Sequence, residues 1–136
     1  ETFTGCTEGV VIMDKLKFLN EQMKILQVPY AFMEWTDKVP TTYWIGEYSE
    51  SPTGTEDGAE ESIFILTGTT RGSWLDLEET KEKIKNHFPS VGGLRAKTNS
   101  GSIAVFYLSS IPVPTDVADL KRIQINLEIK EWKGIE

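Results

Sequence analysis

One stretch of strictly alternating residues near the end of the chain, LKRIQINLEIKEW at positions 120–132, predicts a long β-strand with one buried face. Aliphatic side chains occupy every second position on one side: Ile123, Ile125, Leu127 and Ile129. Polar side chains occupy the other: Arg122, Gln124, Asn126, Glu128 and Lys130. A strand with one solvated face belongs in an antiparallel sheet, because parallel sheets are usually covered on both faces. We therefore expect the rest of the chain to pair with this strand or to cover it.

Two segments show the hydrophobic spacing of amphipathic helices. The first begins at Met13 and ends near Gln27, and its apolar stripe is Leu16, Leu19, Met23 and Leu26. The second is LDLEETKEKIKNHF, which follows Ser73 and has the signature of a capped start in Ser73 and Asp76. Its predicted buried face is Leu77, Ile84 and Phe88. Pro89 ends this helix because proline cannot continue the hydrogen-bonding pattern.

Five further segments predict strands, at residues 28–35, 43–48, 62–68, 94–98 and 103–109. The first two are expected to form a hairpin whose aromatic side chains meet: Tyr30, Phe32, Trp35, Tyr43, Trp44 and Tyr48. The resulting order is helix, three strands, helix, three strands. This order predicts an α+β fold, in which a mostly antiparallel sheet carries both helices on one face.

Residues 49–61, SESPTGTEDGAEE, interrupt the pattern and contain several carboxylates but no basic residue. We expect a flexible, exposed loop. Glu56, Asp57, Glu60 and Glu61 could form a cation site or a docking surface for a basic partner, but a solvated loop is the favoured interpretation, because their spacing is not that of a calcium loop. A second loop, which follows residue 109, is stiffened by two prolines.

Length and composition fit one folded domain with a substantial core: 136 residues, of which 39% are hydrophobic. We interpret residues 1–12 as an N-terminal extension or a segment added in cloning, and 13–136 as a single α+β domain. The net charge of −7 disfavours nucleic acid as the main partner. No apolar run is long enough to span a bilayer, so a soluble protein of a reducing compartment is expected.

Catalytic chemistry is poorly supported by the residue types present. One cysteine, Cys6, and one histidine, His87, cannot build a multi-ligand metal site, and no nucleophile motif surrounds His87. The turn at 67–73, TGTTRGS, joins a strand to a helix start where phosphate could bind, but it lacks the spacing and the lysine of a phosphate-binding loop. We expect no enzyme activity, no cofactor and no metal.

Several local stretches, together with the order of elements, carry a resemblance to a known family. These are VPYAFMEW, YWIGEY, IFILTGTTRGSWLDLEETKEKIKNHF and PTDVADLKRIQINLEIKEW. Over residues 13–132 the chain resembles tail-completion proteins of the tail-terminator class from long-tailed bacteriophages and prophages. The resemblance implies a structural protein of the virion neck, assembled in the bacterial cytoplasm, commonly as a ring of six. Its implied partners are further copies of itself, the tail-tube protein and the head–tail connector.

The residues suggest where such a subunit would make its contacts. A sheet with one covered face does not need so many large aromatic residues in one hairpin, and such residues are favoured at protein interfaces. The candidates are Trp35, Tyr43 and Trp44. Arg122 and Lys130, on the solvated face of the last strand, are further candidate contacts, together with the acidic residues of the 49–61 loop. The competing hypothesis is a small-molecule or regulatory binding module of ferredoxin-like topology, with residues 68–73 as its ligand turn.

Overall fold

The computed structural model describes residues 7–35, 38, 40–54, 60–98 and 101–133. Within them the element order is the predicted one: helix, three strands, helix, three strands. The elements are α1 (Thr7–Ile25), β1 (Tyr30–Phe32), β2 (Thr42–Gly54), β3 (Glu60–Thr70), α2 (Trp74–His87), β4 (Leu94–Thr98), β5 (Gly101–Val113) and β6 (Lys121–Lys133).

The strands form one sheet in the order β1-β2-β3-β6-β5-β4. All neighbouring pairs are antiparallel except β1 and β2, which are parallel. Strand β6 lies inside the sheet and pairs with β3 on one side and β5 on the other. The alternating segment identified in the sequence is therefore the central strand, and the mostly antiparallel sheet is confirmed.

The predicted aromatic hairpin is wrong, because β1 runs parallel to β2 rather than antiparallel. Met33, which follows β1, has a positive φ of 70° and donates its N–H to the Gly46 carbonyl at 2.8 Å. This left-handed turn redirects the chain after only three strand residues. Aromatic rings still meet across the two strands: Phe32 stacks on Tyr48 with ring centroids 6.1 Å apart.

Two strands continue through segments that the sequence predicted as loops. Strand β2 extends to Gly54 and passes Pro52, and β5 extends to Val113 and passes Pro112. Both stretches lie where one strand edge lacks a neighbouring strand among the described residues, and proline is tolerated at such edges because its missing N–H breaks no ladder bond. Residues 49–54 and Glu60 and Glu61 are thus strand residues, while Glu56 and Asp57 lie outside the described residues.

Both helices pack on the same face of the sheet, as predicted; we call it the inner face. They contribute Leu19, Met23, Leu77 and Ile84 to a continuous apolar core, which Phe88 completes at the end of α2. The strands contribute side chains that alternate along them: Trp44, Phe64, Leu66, Ile103, Val105, Tyr107, Ile123, Ile125, Leu127 and Ile129. The predicted buried row of β6 is confirmed, with each of its four aliphatic side chains at most 1% exposed.

The beginning of α2 has the capping arrangement that its sequence predicts. Ser73 Oγ accepts a hydrogen bond from the Leu75 N–H at 3.0 Å, and the Asp76 carboxylate accepts one from the Ser73 N–H at 3.4 Å. These contacts satisfy N–H groups that a helix start otherwise leaves unpaired. The end of α2 is fixed to α1 by a hydrogen bond of 2.6 Å between His87 Nε2 and Gln22 Oε1.

The ferredoxin-like topology of the competing hypothesis is wrong. That topology has the element order β-α-β-β-α-β. Here each helix is followed by three strands, and the two strand triplets meet through β3 and β6.

Substitution of Gly68 by alanine is expected to destabilise the protein by about 1–3 kcal/mol, the usual range for overpacking a core. The Trp44 ring lies directly over Gly68, and a Cβ atom there would be 2.6 Å from three of its carbons. Urea unfolding measures the effect. The control is Val91→Ala, because Val91 is 90% exposed and should change stability by no more than about 0.5 kcal/mol. Equal stability of the two variants would contradict the packing described.

His87 should make the protein less stable in mild acid. Burial lowers the pKa of His87 below its ordinary 6.5, so the unfolded chain takes up a proton more readily than the folded one. The contribution of the neutral ring is complete above about pH 6.5 and is lost as the pH falls through the folded-state value. The unfolding free energy of wild type minus that of His87→Gln should therefore fall between pH 8 and pH 5. A difference that rises toward acid would contradict this.

Candidate assembly surface

The face of the sheet opposite the helices is open in the described part of the chain; we call it the outer face. It consists of the alternate side chains that point away from the core. Tyr43, Thr69 and Arg122 form one cross-strand row on this face. The next outward-facing row along the strands contains Ile45, Thr67 and Gln124. These rows give the outer face a fixed geometry on which the candidate contacts can be placed.

The outer face combines an apolar strip with a polar strand. Ile63 and Ile65 of β3 lie there, which explains why β3 has an almost continuous apolar sequence: its other face, with Phe64 and Leu66, is in the core. Their neighbours on β6 are Glu128 and Asn126. The isoleucines are only half-buried in the isolated chain. An apolar strip bordered by polar groups is typical of a protein contact surface.

Hydrogen bonds hold the polar side chains of β6 along this face. Gln124 Nε2 donates to Asn126 Oδ1 at 3.3 Å, and Asn126 Nδ2 donates to Ser109 Oγ at 3.2 Å. Arg122 Nε donates to Thr69 Oγ1 at 3.3 Å. The surface is thus ordered before any partner binds, which reduces the entropy lost on association.

Three predicted contact residues lie together at one end of the outer face. The Trp35 and Tyr43 rings pack with centroids 5.8 Å apart, and Tyr43 shares its row with Arg122. A cleft of about 310 Å³ opens beside them. Its lining includes Arg71, which forms an exposed ion pair of 2.9 Å with Asp119.

Lys130 and Glu61 lie at the other end of the face. Lys130 Nζ is 3.7 Å from Glu61 Oε2, and both side chains are about one-third exposed. Lys130 also lies over the Phe106 ring, 5.9 Å from its centroid. Eight residues of extended strand separate Arg122 from Lys130, or roughly 27 Å at strand geometry. The predicted basic contacts therefore mark the two ends of one surface rather than a single cluster.

The remaining predicted contact residues are distributed differently. Trp44 is fully buried in the core, so the folded chain does not present it to a neighbour. From sequence alone, Trp35, Tyr43 and Trp44 are equivalent candidates. Successive side chains of a strand point to opposite faces, so Tyr43 lies on the outer face and Trp44 in the core. Glu60 is exposed in β3. Glu56 and Asp57 are not among the described residues.

The sequence interpretation missed a buried lysine on the inner face, where α1 meets β3 and β6. Lys15 of α1 is 2% exposed, and its Nζ lies 3.3 Å from Glu131 Oε1 and 3.3 Å from Ser62 Oγ. The ammonium group also lies 5.0 Å from the centroid of the Tyr48 ring. The available signal was its spacing, since Lys15 precedes buried Leu19 by one helical repeat of four residues.

The turn at 67–73 does not offer free donors to a phosphate. The Gly72 N–H donates to Thr70 Oγ1 at 3.0 Å, and the Ser73 and Leu75 N–H groups are used in the helix cap. The Asp76 carboxylate accepts from the Ser73 N–H, so a negative charge already lies at this helix start and disfavours an anion there. Within the described ranges, no group of three or more histidine, cysteine, aspartate or glutamate residues could hold a metal ion. Neither described helix is long and apolar enough to cross a membrane.

No protein-family model and no curated protein matches this chain. Solved structures do. One protein, designated only by a sequence number, superposes with a TM-score of 0.71 at 15% identity, over 97% of this chain and 100% of the other. A chain from the virion of a native gene transfer agent particle superposes with a TM-score of 0.65 at 9% identity, over 96% of this chain and 100% of the other. At such low identities, these similarities show a shared fold.

Replacing Lys15 with methionine should lower the unfolding free energy by about 2–4 kcal/mol, because it leaves the Glu131 carboxylate, which is only 12% exposed, without this partner. Thermal or urea unfolding measures the loss. Lys17→Met is the matched control on the same helix, since Lys17 is exposed and its charge is solvated. If both variants lose the same unfolding free energy, the buried contact between Lys15 and Glu131 does not contribute to stability.

Proposed function

We propose that this chain is a structural protein of a phage-like virion, located at the tail end or neck. There it would cap the tail tube and join the tail to the head connector. The observation that carries the proposal is the superposition of nearly the entire chain on an entire chain of a gene transfer agent virion. The resemblance of residues 13–132 to tail-terminator proteins supplies the more specific role. The chemistry proposed is assembly between protein surfaces rather than catalysis.

The outer face supports an assembly role. It offers a wide, preordered surface in which half-buried isoleucines lie beside polar and charged side chains, as in the contact surfaces of non-obligate protein complexes. The net charge of −7 favours a protein partner over the DNA that passes through a virion neck. In this proposal, subunits associate in a ring, six in the class that the sequence resembles, and the ring docks on the end of the tail tube.

Charge reversal at both ends of the outer face should weaken assembly by roughly tenfold or more, equivalent to about 1.4 kcal/mol. The variant is Arg122→Glu with Lys130→Glu. Size exclusion coupled to light scattering, across a range of protein and salt concentrations and with and without tail-tube protein, measures the assembled fraction. The monomer should stay folded, since exposed charge substitutions have small effects on stability.

The matched control is Lys17→Glu with Lys24→Glu, which changes the net charge equally at two exposed positions of α1. It should assemble as the wild type does. Unchanged assembly of the outer-face variant would exclude that face as the contact. A wild-type chain that stays monomeric and ignores tail-tube protein at every concentration would contradict the capping role itself.

A further inference from the structure

The two side edges of the sheet are stepped. On one side, β1 pairs with β2 only at Trp44, Ile45 and Gly46. From residue 47 onward, β2 has β3 on its inner side and, among the described residues, no strand on its outer side. On the other side, β4 pairs with β5 only over residues 101–105. Tyr107 is held by the loop after α2, through its N–H to the Phe88 carbonyl at 2.9 Å. In the described chain, residues 108–113 of β5 have β6 on one side and no strand on the other.

The two steps have complementary shapes. One cross-strand row crosses the whole sheet through Ala31, Ile45, Thr67, Gln124 and Ile111. The protruding strand β1 on one side is therefore level with the recess beside β5 on the other.

We call the part of the sheet around this row the lower step. The part at the other end of β6, called the upper step, shows the reverse arrangement. A second row runs through Glu50, Ser62, Ile129, Val105 and Leu94. Here β4 protrudes on one side, and β2 is recessed on the other. Each step is one strand wide, about 4.8 Å, so a protruding strand of one edge fits the recess of the other.

Strand directions are compatible with this fit. The pairing pattern makes β2 parallel to β6 and antiparallel to β5. Because β1 is parallel to β2, a second copy in the same orientation brings its β1 antiparallel to β5 of the first. The same placement brings β4 of the first copy beside β2 of the second in parallel orientation. Both arrangements occur in natural sheets.

The chemistry of the edges is also complementary. The recess beside β5 exposes apolar side chains, with Leu108 at 47% and Ile111 at 55% exposure. Met33, which directly follows β1, is 57% exposed. Arg95 and Lys97 are exposed on β4, which begins level with Glu50 of the recessed part of β2 in the second row. Apolar groups would therefore meet apolar groups in the lower step, and the basic strand β4 would begin beside Glu50 in the upper step.

We propose that a second copy of this chain docks edge to edge, with its β1 in the recess beside β5 and its recessed β2 against β4, so that the sheet continues between subunits. The contact joins two different edges, so it repeats from copy to copy and can close into a ring. The inference rests on the proposed function for its role in a virion, but the contact itself is a property of the chain alone. Pro112 and the brevity of β1 restrict the edges to a short, specific pairing.

The test uses disulfide formation between two single-cysteine variants in a Cys6→Ser background. Ala31 and Ile111 share a row and both lie on the outer face, so the proposed docking puts them directly opposite, with Cα atoms about 4.5–5.5 Å apart. This spacing permits a disulfide. Ala31→Cys and Ile111→Cys are mixed at high concentration under mild oxidation. We expect a covalent dimer in the mixture that is at least tenfold more abundant than in either variant alone.

Glu79→Cys on α2 replaces Ile111→Cys as the matched control, because Glu79 is exposed on a helix of the opposite face. Ala31→Ser and Ile111→Ser, compared with wild type by circular dichroism, show that both positions tolerate a small polar residue. Absence of the mixed dimer, or equal yield with Glu79→Cys, would overturn the edge contact. Such a result would not bear on the capping role, which the experiment with tail-tube protein tests separately. A mixed dimer together with no binding to tail-tube protein would support the edge contact and count against the capping role.

Discussion

The fold depends on one constraint: β6 must bury one row of side chains and be paired along both edges. Its four aliphatic residues lie beneath both helices, and its backbone is hydrogen-bonded to β3 and β5 over almost its whole length. Burying four such side chains contributes about 8 kcal/mol before the entropy of folding is counted. The first strand triplet supplies β3, and the second supplies β5 and β6 itself. Neither triplet therefore pairs both edges of β6 alone.

The sequence predicted those features that are encoded locally. The alternation in β6, the apolar stripes of the helices and the cap formed by Ser73 and Asp76 each depend on residues within one element. The bounds of β4 were also predicted. Burial of both helices on one face followed from the one-sided pattern of β6, because only the apolar side of that strand requires cover.

Other features depend on contacts between distant segments and were not predictable from local patterns. Whether β1 is parallel or antiparallel to β2 depends on the turn at Met33, whose positive φ no local motif signals. The strand extensions past Pro52 and Pro112 depend on which edges lack a neighbour. Tyr43 and Trp44 lie on opposite faces because successive side chains of a strand alternate. Gly68 lies beneath Trp44 and has no side chain, which leaves room for the indole on the core face.

Trp44 also has a thermodynamic consequence for the core in which it lies. Within the described residues its indole Nε1 is buried and has no hydrogen-bond partner, and such a group costs about 1–3 kcal/mol relative to hydration. Packing of the ring over Gly68 outweighs that cost, so this part of the core is held by shape rather than by a hydrogen bond. A local opening that hydrates the indole recovers that free energy, so the core around Trp44 is closed less firmly than one whose polar groups are all paired.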